Sequence, residues 1–219
     1  MLFDLDDTLV PQGSWLAGAW AAVADAGAQL GADRDALYES LVAVASEGTD
    51  RGGIIDRSLR RCGASTPVQP LVEAFWAYRP ERVACYPGAR RSVINLARLV
   101  PVGIVTDGHV ETQRAKIAAA GLAEVMAVVV FSDEIGGARR KPHPDPFLRA
   151  LELLGTGPEG TVFVGDRPDK DIAGAQSCGM RALRVRTGEY GSVPDIPRPW
   201  RTAADAVVAI AMLEDLLVG

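Results

Sequence analysis

Three aspartates stand within four positions near the start of the chain, at Asp4, Asp6 and Asp7, directly after the apolar pair Leu2 and Phe3. Carboxylates that are so close repel one another, and burying them costs free energy unless something compensates for their charge. An exposed turn would compensate with water, whereas a reactive site would compensate with a bound cation. The segment therefore raises the question of a cation-dependent reaction.

Polar residues also follow three other short apolar runs. Thr106, Asp107 and Gly108 come after the run VGIV, Lys141 lies in the loop after VVVF, and Asp166 follows VFVG. The carboxyl ends of parallel strands lie at the same edge of a sheet, so the residues that follow them meet in one crevice. We therefore expect these residues to lie close to the first aspartates.

The elements that would position these residues can be predicted from the hydrophobic pattern. From about residue 85, strands of about four to six residues alternate with helices of roughly ten to fifteen, which is typical of a Rossmann-like α/β fold with a parallel sheet flanked by helices. The last helix of this pattern is TAADAVVAIAMLEDLL.

A different pattern occupies residues 12–82, where helical periodicity continues without a strand candidate. It predicts four helices, at about residues 14–29, 33–46, 53–62 and 68–79. Four aromatic residues at helical spacing favour a bundle core: Trp15, Trp20, Phe75 and Trp76. The sequence thus predicts a core of residues 1–11 and 83–219 with a small all-α domain of residues 12–82 inserted in it.

Composition limits the class of partner. The chain has 219 residues, is 48% hydrophobic and has a formal net charge of -5, which excludes a basic nucleic-acid surface. Its most apolar helical stretch, SWLAGAWAAVADAGAQLG, is interrupted by Asp25 and predicts an ordinary helix, not a membrane segment. Cys62, Cys85 and Cys178 are widely separated, as is typical of reduced thiols in the cytoplasm. We expect a cytoplasmic protein with a small-molecule partner; the sequence leaves the oligomeric state open.

Four segments in order resemble the motifs of the haloacid dehalogenase superfamily, whose members are mostly phosphohydrolases. They are FDLDDTL, Thr106 in VGIVTDG, Lys141 in RRKPHPDPF, and VFVGDRPDKDIAGAQSCGM. The resemblance covers nearly the whole chain and implies a Mg²⁺-dependent phosphomonoester hydrolase that acts through an aspartyl-phosphate. Fewer residues precede Asp4 than is usual in the family, so we expect a short first strand or a natural start upstream of Met1.

The resemblance implies a chemical role for each of the first two aspartates. Asp4 would be the nucleophile, because a carboxylate in line with phosphorus divides one difficult displacement into two easier ones. Asp6 would protonate the leaving oxygen and then deprotonate water, which is typically worth ~10²–10⁴-fold in rate. A neighbouring carboxylate and the charge of the substrate would favour the protonated form that this role requires.

The resemblance also implies a metal site. An oxygen of Asp4, the backbone carbonyl of Asp6 and an oxygen of Asp166 would bind Mg²⁺, which prefers a few oxygen ligands together with water and phosphate. Asp171 would orient ligands or water without binding the ion itself. Asp169 is expected to face solvent or to cap a helix.

The phosphate group would be held at the two middle motifs. The hydroxyl of Thr106 and the backbone N–H groups of Asp107 and Gly108 would form a neutral cradle, and Lys141 would add a positive charge that keeps the nucleophile ionised. Arg140 is interpreted as a surface residue.

Four neighbours of the motifs are expected to have structural roles. Asp7 is predicted in an exposed turn, and Thr8 is predicted to bond to the backbone and shape the loop. His109 is expected near a helix start and at the pocket rim, and His143 is expected in a loop, because Asp6 already supplies acid and base.

The insert of residues 12–82 resembles the family's helical cap, which closes over the site and selects the substrate. It contains neither lysine nor histidine, which excludes a Schiff-base phosphonate hydrolase and disfavours a sugar phosphomutase. Gln12, Arg51 and Arg57 are candidates for substrate contact, although an arginine on a helix is more often simply solvated.

Several functions remain open at this point. A sugar phosphate, a nucleotide or phosphoglycolate is the class of substrate that a phosphatase of this kind would take. Dehalogenation is disfavoured, because those relatives lack an acid at the position of Asp6. The alternatives are a sugar phosphomutase and a non-catalytic interaction protein that retains the fold.

Overall fold

A computed structural model describes residues 1–218. The chain forms two compact units, one of Gly13–Pro80 and one that combines Met1–Gln12 with the chain from Glu81 onward. No helix among the described residues has both the length and the apolar character needed to cross a bilayer.

The larger unit is built on a parallel sheet, as the sequence predicts. Within residues 1–218 the sheet has six strands in the order β3-β2-β1-β4-β5-β6. The strands are β1 (Leu2–Phe3), β2 (Gly103–Thr106), β3 (Val128–Phe131), β4 (Val162–Gly165), β5 (Arg181–Val185) and β6 (Arg201–Ala203). The central strand β1 is the shortest, and Leu2 pairs with Gly103 on one side and with Phe163 on the other.

Helices connect the strands of this unit. They are α5 (Ala89–Leu96), α6 (Val110–Ala119), α7 (Ser132–Ile135), α8 (Pro144–Leu154), α9 (Ala173–Ser177) and α10 (Ala206–Val218), with a π-helical turn over Pro168–Ile172. One hydrophobic cluster joins β1, β2 and β4 to α8 and α9 through Leu2, Val105, Phe147, Phe163 and Ala175. The parallel α/β class and its Rossmann-like core are therefore confirmed.

The end of the chain differs from the sequence prediction. Residues 201–203 form the edge strand β6, whereas the pattern predicts a helix from Thr202. The helix begins later, because the carboxylate of Asp205 accepts a hydrogen bond from the backbone N–H of Val208 at 2.9 Å. Next to the strand, Trp200 stacks with the guanidinium groups of Arg181 and Arg201.

The smaller unit consists of helices, as the pattern predicts. They are α1 (Gln12–Gln29), α2 (Arg34–Ala45), α3 (Ile54–Cys62) and α4 (Val68–Ala77), with a 3₁₀ turn over Thr49–Arg51. Trp20 is buried and stacks on Phe75 with ring centroids 4.7 Å apart, and Trp15 meets the edge of Phe75. Trp76 is 41% exposed, so its predicted place in the core is wrong. It is the ring next to Phe75 on α4, and successive residues of a helix face different directions.

Candidate active site

Asp4 lies at the carboxyl end of the central strand. Its backbone N–H donates to the carbonyl of Val164 at 2.9 Å, which continues the pairing of β1 with β4 by one residue. Thr106 ends β2, and Asp166 directly follows β4, so three neighbouring strands deliver polar residues to the same edge. Carboxylate oxygens of Asp4, Asp166 and Asp171 lie within 4.8 Å of one another. The residues that the sequence predicts to converge do so.

One ammonium group lies against this buried carboxylate cluster. Lys141 Nζ donates to Asp4 Oδ1 at 2.6 Å and to Asp171 Oδ1 at 2.8 Å, and the lysine side chain is 3% exposed. Burial by itself lowers the pKa of Lys141, but the carboxylates of Asp171 and Asp4 outweigh it and raise that pKa above its ordinary value. Lys141 is therefore held in the charged form.

The ammonium does not fully compensate for the carboxylates. Burial, followed by repulsion from Asp171, raises the pKa of Asp4 to about 7. Burial, followed by repulsion from Asp171 and Asp4, raises the pKa of Asp166 to about 9. Because these carboxylates resist ionisation, the cluster is stabilised when it binds either protons or a cation.

Asp171 is the most restrained of the three. Its Oδ1 accepts from Lys141, and its Oδ2 accepts from the backbone N–H of Arg167 at 3.0 Å. Gly165 makes room for it, since a Cβ at that glycine would overlap the Asp171 side chain. Both oxygens of Asp171 are thus engaged by the protein itself.

Thr8 contacts the cluster directly. Its buried hydroxyl donates to Asp166 Oδ1 at 3.4 Å, so the interpretation of Thr8 as a residue that bonds to the backbone is wrong. Thr8 belongs to the first motif and Asp166 to the fourth. Local sequence patterns could not predict this contact, because the two residues are far apart in sequence.

Asp7 is not in an exposed turn, which corrects another prediction. It is 7% exposed and has a backbone φ of 55°, in the left-handed region. Its Oδ1 accepts from the backbone N–H of Gln12 at 2.9 Å and from the Tyr86 hydroxyl at 3.3 Å, and its Oδ2 accepts from the N–H of Glu189 at 3.2 Å. Thr187 donates to its carbonyl. Asp7 therefore fastens the loop that contains the first motif.

Asp6 faces helix α6. Lys116 Nζ lies 2.8 and 3.0 Å from its two carboxylate oxygens, and Gln113 Nε2 donates to Oδ2 at 2.7 Å. Sequence reasoning missed both partners. Ile117 marks the buried face of α6, and Gln113 and Lys116 share that face at helical spacing, which was the available signal.

The second motif is more heavily bonded than predicted. Asp107 Oδ1 accepts from Ser132 Oγ at 2.7 Å and from the backbone N–H of Lys141 at 3.1 Å. The N–H of Gly108, which the resemblance assigns to the phosphate, donates to Asp133 Oδ1 at 3.3 Å. A phosphate oxygen at Gly108 would have to replace that bond.

The remaining candidates lie at the rim. Asp169 is 60% exposed and pairs with Arg167 at 2.7 Å. Burial by itself raises the pKa of Asp169, but the hydrogen bond and the charge of Arg167 outweigh it and lower that pKa below its ordinary value. Arg140 is exposed and pairs with Asp133. His109 directly precedes α6, and His143 Nδ1 accepts from the N–H of the second residue after it, at the start of α8. These partners of Asp169, Arg140 and His143 lie outside the cluster of Asp4, Asp166 and Asp171.

Comparison with known proteins shows which proteins this chain is similar to. A family model described as haloacid dehalogenase-like hydrolase matches residues 1–179. The glyceraldehyde 3-phosphate phosphatase of Methanopyrus kandleri is 36% identical over an alignment that covers 96% of this chain and 97% of that protein. The phosphoserine phosphatase of Thermus thermophilus is 37% identical over 127 residues, which cover 58% of this chain and 50% of that protein. The crystal structure of a 2-haloacid dehalogenase from Pseudomonas syringae is 28% identical with a TM-score of 0.68, and covers 98% of this chain and 97% of that one.

Proposed function

The chain belongs to the haloacid dehalogenase-like hydrolase family, and from that premise we propose that it is a Mg²⁺-dependent phosphomonoester hydrolase of a small phosphorylated metabolite. The observation that carries the proposal is the buried group of Asp4, Asp166 and Asp171 with Lys141 between two of its members. Such a group offers a carboxylate nucleophile, oxygen ligands for a cation and a fixed positive charge at one edge of the sheet.

The donor set fits a hard divalent cation. Burial and mutual repulsion raise the pKa values of Asp4 and Asp166, and a cation would relieve that repulsion. In this proposal Asp4, the backbone carbonyl of Asp6 and Asp166 hold Mg²⁺, while Asp171 stays with Lys141 and the backbone. When bound, the ion supplies charge neutralisation for the phosphate oxygens.

The chain's own residues account for the steps. An Asp4 oxygen forms a bond to phosphorus as the bond from phosphorus to the leaving oxygen breaks, and Asp6, which enters this step protonated, transfers its proton to that oxygen. Asp6 then removes a proton from water, which attacks the phosphorus of the aspartyl-phosphate and restores the Asp4 carboxylate. Lys141 offsets negative charge throughout, and Thr106 offers its hydroxyl to the phosphoryl oxygens.

The substrate class follows from the relatives and from the smaller unit. We propose that Gly13–Pro80 is a cap that selects the substrate, with Gln12, Arg51 and Arg57 as candidate contacts. Similarity over nearly the full length to a glyceraldehyde 3-phosphate phosphatase supports a short phosphorylated sugar or acid ahead of a nucleotide.

Three other functions are less well supported. A haloacid dehalogenase releases halide, which needs no proton, whereas here Asp6 is held beside the cluster by Lys116 and Gln113. A phosphomutase is disfavoured by the absence of lysine and histidine from residues 12–82. A non-catalytic role would not require a complete set of motif residues.

The test is phosphate release from purified protein. Glyceraldehyde 3-phosphate, phosphoserine, phosphoglycolate and nucleoside monophosphates are compared in Mg²⁺ and in chelator, with Asp4→Asn as the inactive control. We expect Mg²⁺-dependent release that is greatest for a three-carbon or two-carbon phosphate and is at least about 10³-fold lower in the variant. Full activity in chelator, or chloride release from 2-chloropropionate without phosphatase activity, would contradict the proposal.

A further inference from the structure

Helix α6 holds both oxygens of the Asp6 carboxylate. Lys116 Nζ lies 2.8 Å from Oδ1 and 3.0 Å from Oδ2, and Gln113 Nε2 lies 2.7 Å from Oδ2. The Lys116 side chain is 3% exposed and the Asp6 side chain is 19% exposed. A carboxylate bonded at both oxygens from one rigid helix has a fixed orientation.

Gln113 also reaches a second residue of the site. Its Nε2 lies 2.7 Å from Thr106 Oγ1, so the amide can give one hydrogen to Thr106 and the other to Asp6. Because the Thr106 hydroxyl then accepts from Gln113, its own hydrogen is directed to another acceptor, which in this structure is the backbone carbonyl of Asp107 at 3.4 Å. In the proposed reaction a phosphoryl oxygen takes the place of that carbonyl.

The burial of Lys116 is costly and needs a compensating role. An ammonium removed from water loses hydration, and an apolar side chain of similar length would fill the same space without that loss. Gln113 is also 3% exposed on the same face of α6. Two buried polar side chains that converge on one carboxylate favour a role in orienting that carboxylate.

We propose that Gln113 and Lys116 are positioning residues that orient the Asp6 carboxylate toward the leaving oxygen and the Thr106 hydroxyl toward the phosphate. The proposal rests on the proposed function, because it assigns Asp6 the acid–base role. It adds that α6, which contributes none of the four motif residues of that reaction, sets the geometry of proton transfer.

The experiment compares two esters of the same shape. The phenolate released from phenyl phosphate is the poorer leaving group and needs the proton, whereas the 4-nitrophenolate released from 4-nitrophenyl phosphate departs without it. For Lys116→Met and Gln113→Leu we expect kcat/KM to fall about 10–100-fold with phenyl phosphate and less than about 5-fold with 4-nitrophenyl phosphate. Lys116→Arg should recover most of the loss. Arg114→Met is the matched control, since Arg114 is 56% exposed on the same helix, and its two values should equal those of the wild type.

A second background separates positioning from folding. In Asp6→Asn, the further substitution of Lys116 should change kcat/KM less than about 3-fold, because the carboxylate that Lys116 orients is gone, whereas Gln113→Leu should keep the part of its loss that comes from Thr106. For Lys116→Met, equal losses with both esters, or the same loss in the Asp6→Asn background, would overturn the positioning role. If Lys116→Met does not fold, Gln113→Leu decides, because equal losses with the two esters in that variant would show that it does not orient Asp6. A wild-type protein that hydrolyses neither ester would overturn the proposed function and this proposal with it.

Discussion

At the scale of residues, the site is a balance between buried charges. Asp4 and Asp166 ionise less readily than ordinary aspartates, and Lys141 is held charged between Asp4 and Asp171. The two oxygens of Asp171 are already bonded within the protein, whereas the described bonds of Asp4 and Asp166 each use Oδ1. This difference predicts which aspartates respond to a metal.

Substitution of the two later aspartates should therefore have unequal effects on the metal. We expect Asp166→Ala to raise the half-saturating Mg²⁺ concentration at least about 100-fold, and Asp171→Ala only about 10-fold, as is usual for a residue that supports ligands. Isothermal titration with Mg²⁺ measures both values. The reverse order would show that Asp171 is the direct ligand.

At the scale of elements, the strands and most helices could be predicted from sequence because short apolar runs alternate with amphipathic ones. Strand β6 could not, because Arg201-Thr202-Ala203 is three residues long and lies at the sheet edge, where little apolar character is needed. Helix α6 could be predicted, but the contacts of Gln113 and Lys116 on its buried face could not. Such predictions assume that buried helix positions are apolar, and these two residues are polar.

The loop after β1 was the least predictable element. DLDDT has the composition of a turn, yet Asp7 is buried by partners that come from Tyr86 and Glu189, far away in the sequence. The site residues could be predicted because they follow strands in a fixed order, whereas the partners of Asp7 and Thr8 follow from tertiary packing that no local pattern reveals.

This loop gives a prediction about stability. Asp7→Ala removes the acceptor for the N–H groups of Gln12 and Glu189. It also places alanine at φ 55°, in the left-handed region, which is unfavourable for a residue with a Cβ atom. We expect a loss of about 2–4 kcal/mol, or roughly 5–10 °C in melting temperature for a chain of this size. Asp7→Asn retains an acceptor oxygen and tolerates the left-handed region, so it should lose clearly less. Equal melting temperatures for the two variants would argue against this role of Asp7.

At the scale of the whole molecule, the two units have separate hydrophobic clusters, one around Leu2, Phe147 and Phe163 and the other around Trp20 and Leu41. Each unit thus has its own source of stability. We expect the acid cluster to make the stability of the unit that contains the sheet depend on pH and on Mg²⁺.

In chelator, the melting temperature should fall as the pH rises from 5 to 8. Folding raises the pKa of Asp4 to about 7 and that of Asp166 to about 9 from an ordinary value of 3.8, so the folded chain binds more protons than the unfolded chain across this window. Stability is then lost as these protons dissociate. Mg²⁺ would replace the protons, so we expect the melting temperature in Mg²⁺ minus that in chelator to be larger at pH 8 than at pH 6, by several degrees. Differential scanning calorimetry measures it, and a difference that shrinks with pH would contradict the assignment.

Removal of the smaller unit should leave a folded α/β protein. With a short linker in place of Gly13–Pro80, the sheet cluster is intact, and we expect a cooperative melting transition and weak Mg²⁺-dependent hydrolysis of 4-nitrophenyl phosphate. Discrimination among small phosphate esters should decrease at least about tenfold, because leaving-group contacts are lost. Unchanged discrimination would assign substrate choice to the loops of the sheet, and a chain that does not fold would show that the units are interdependent.

The brevity and central place of β1 also determine when the site can form during synthesis. Leu2 and Phe3 are made before their partners in β2 and β4, which lie about 100 and 160 residues later, so these contacts are among the most non-local in the chain. A nascent chain that ends before β4 lacks one neighbour of β1, the carbonyl of Val164 that bonds Asp4, and Asp166 itself. The ribosome therefore releases Asp4 well before Asp166, and the chain can assemble the candidate site only after β4 and Asp166 have been made.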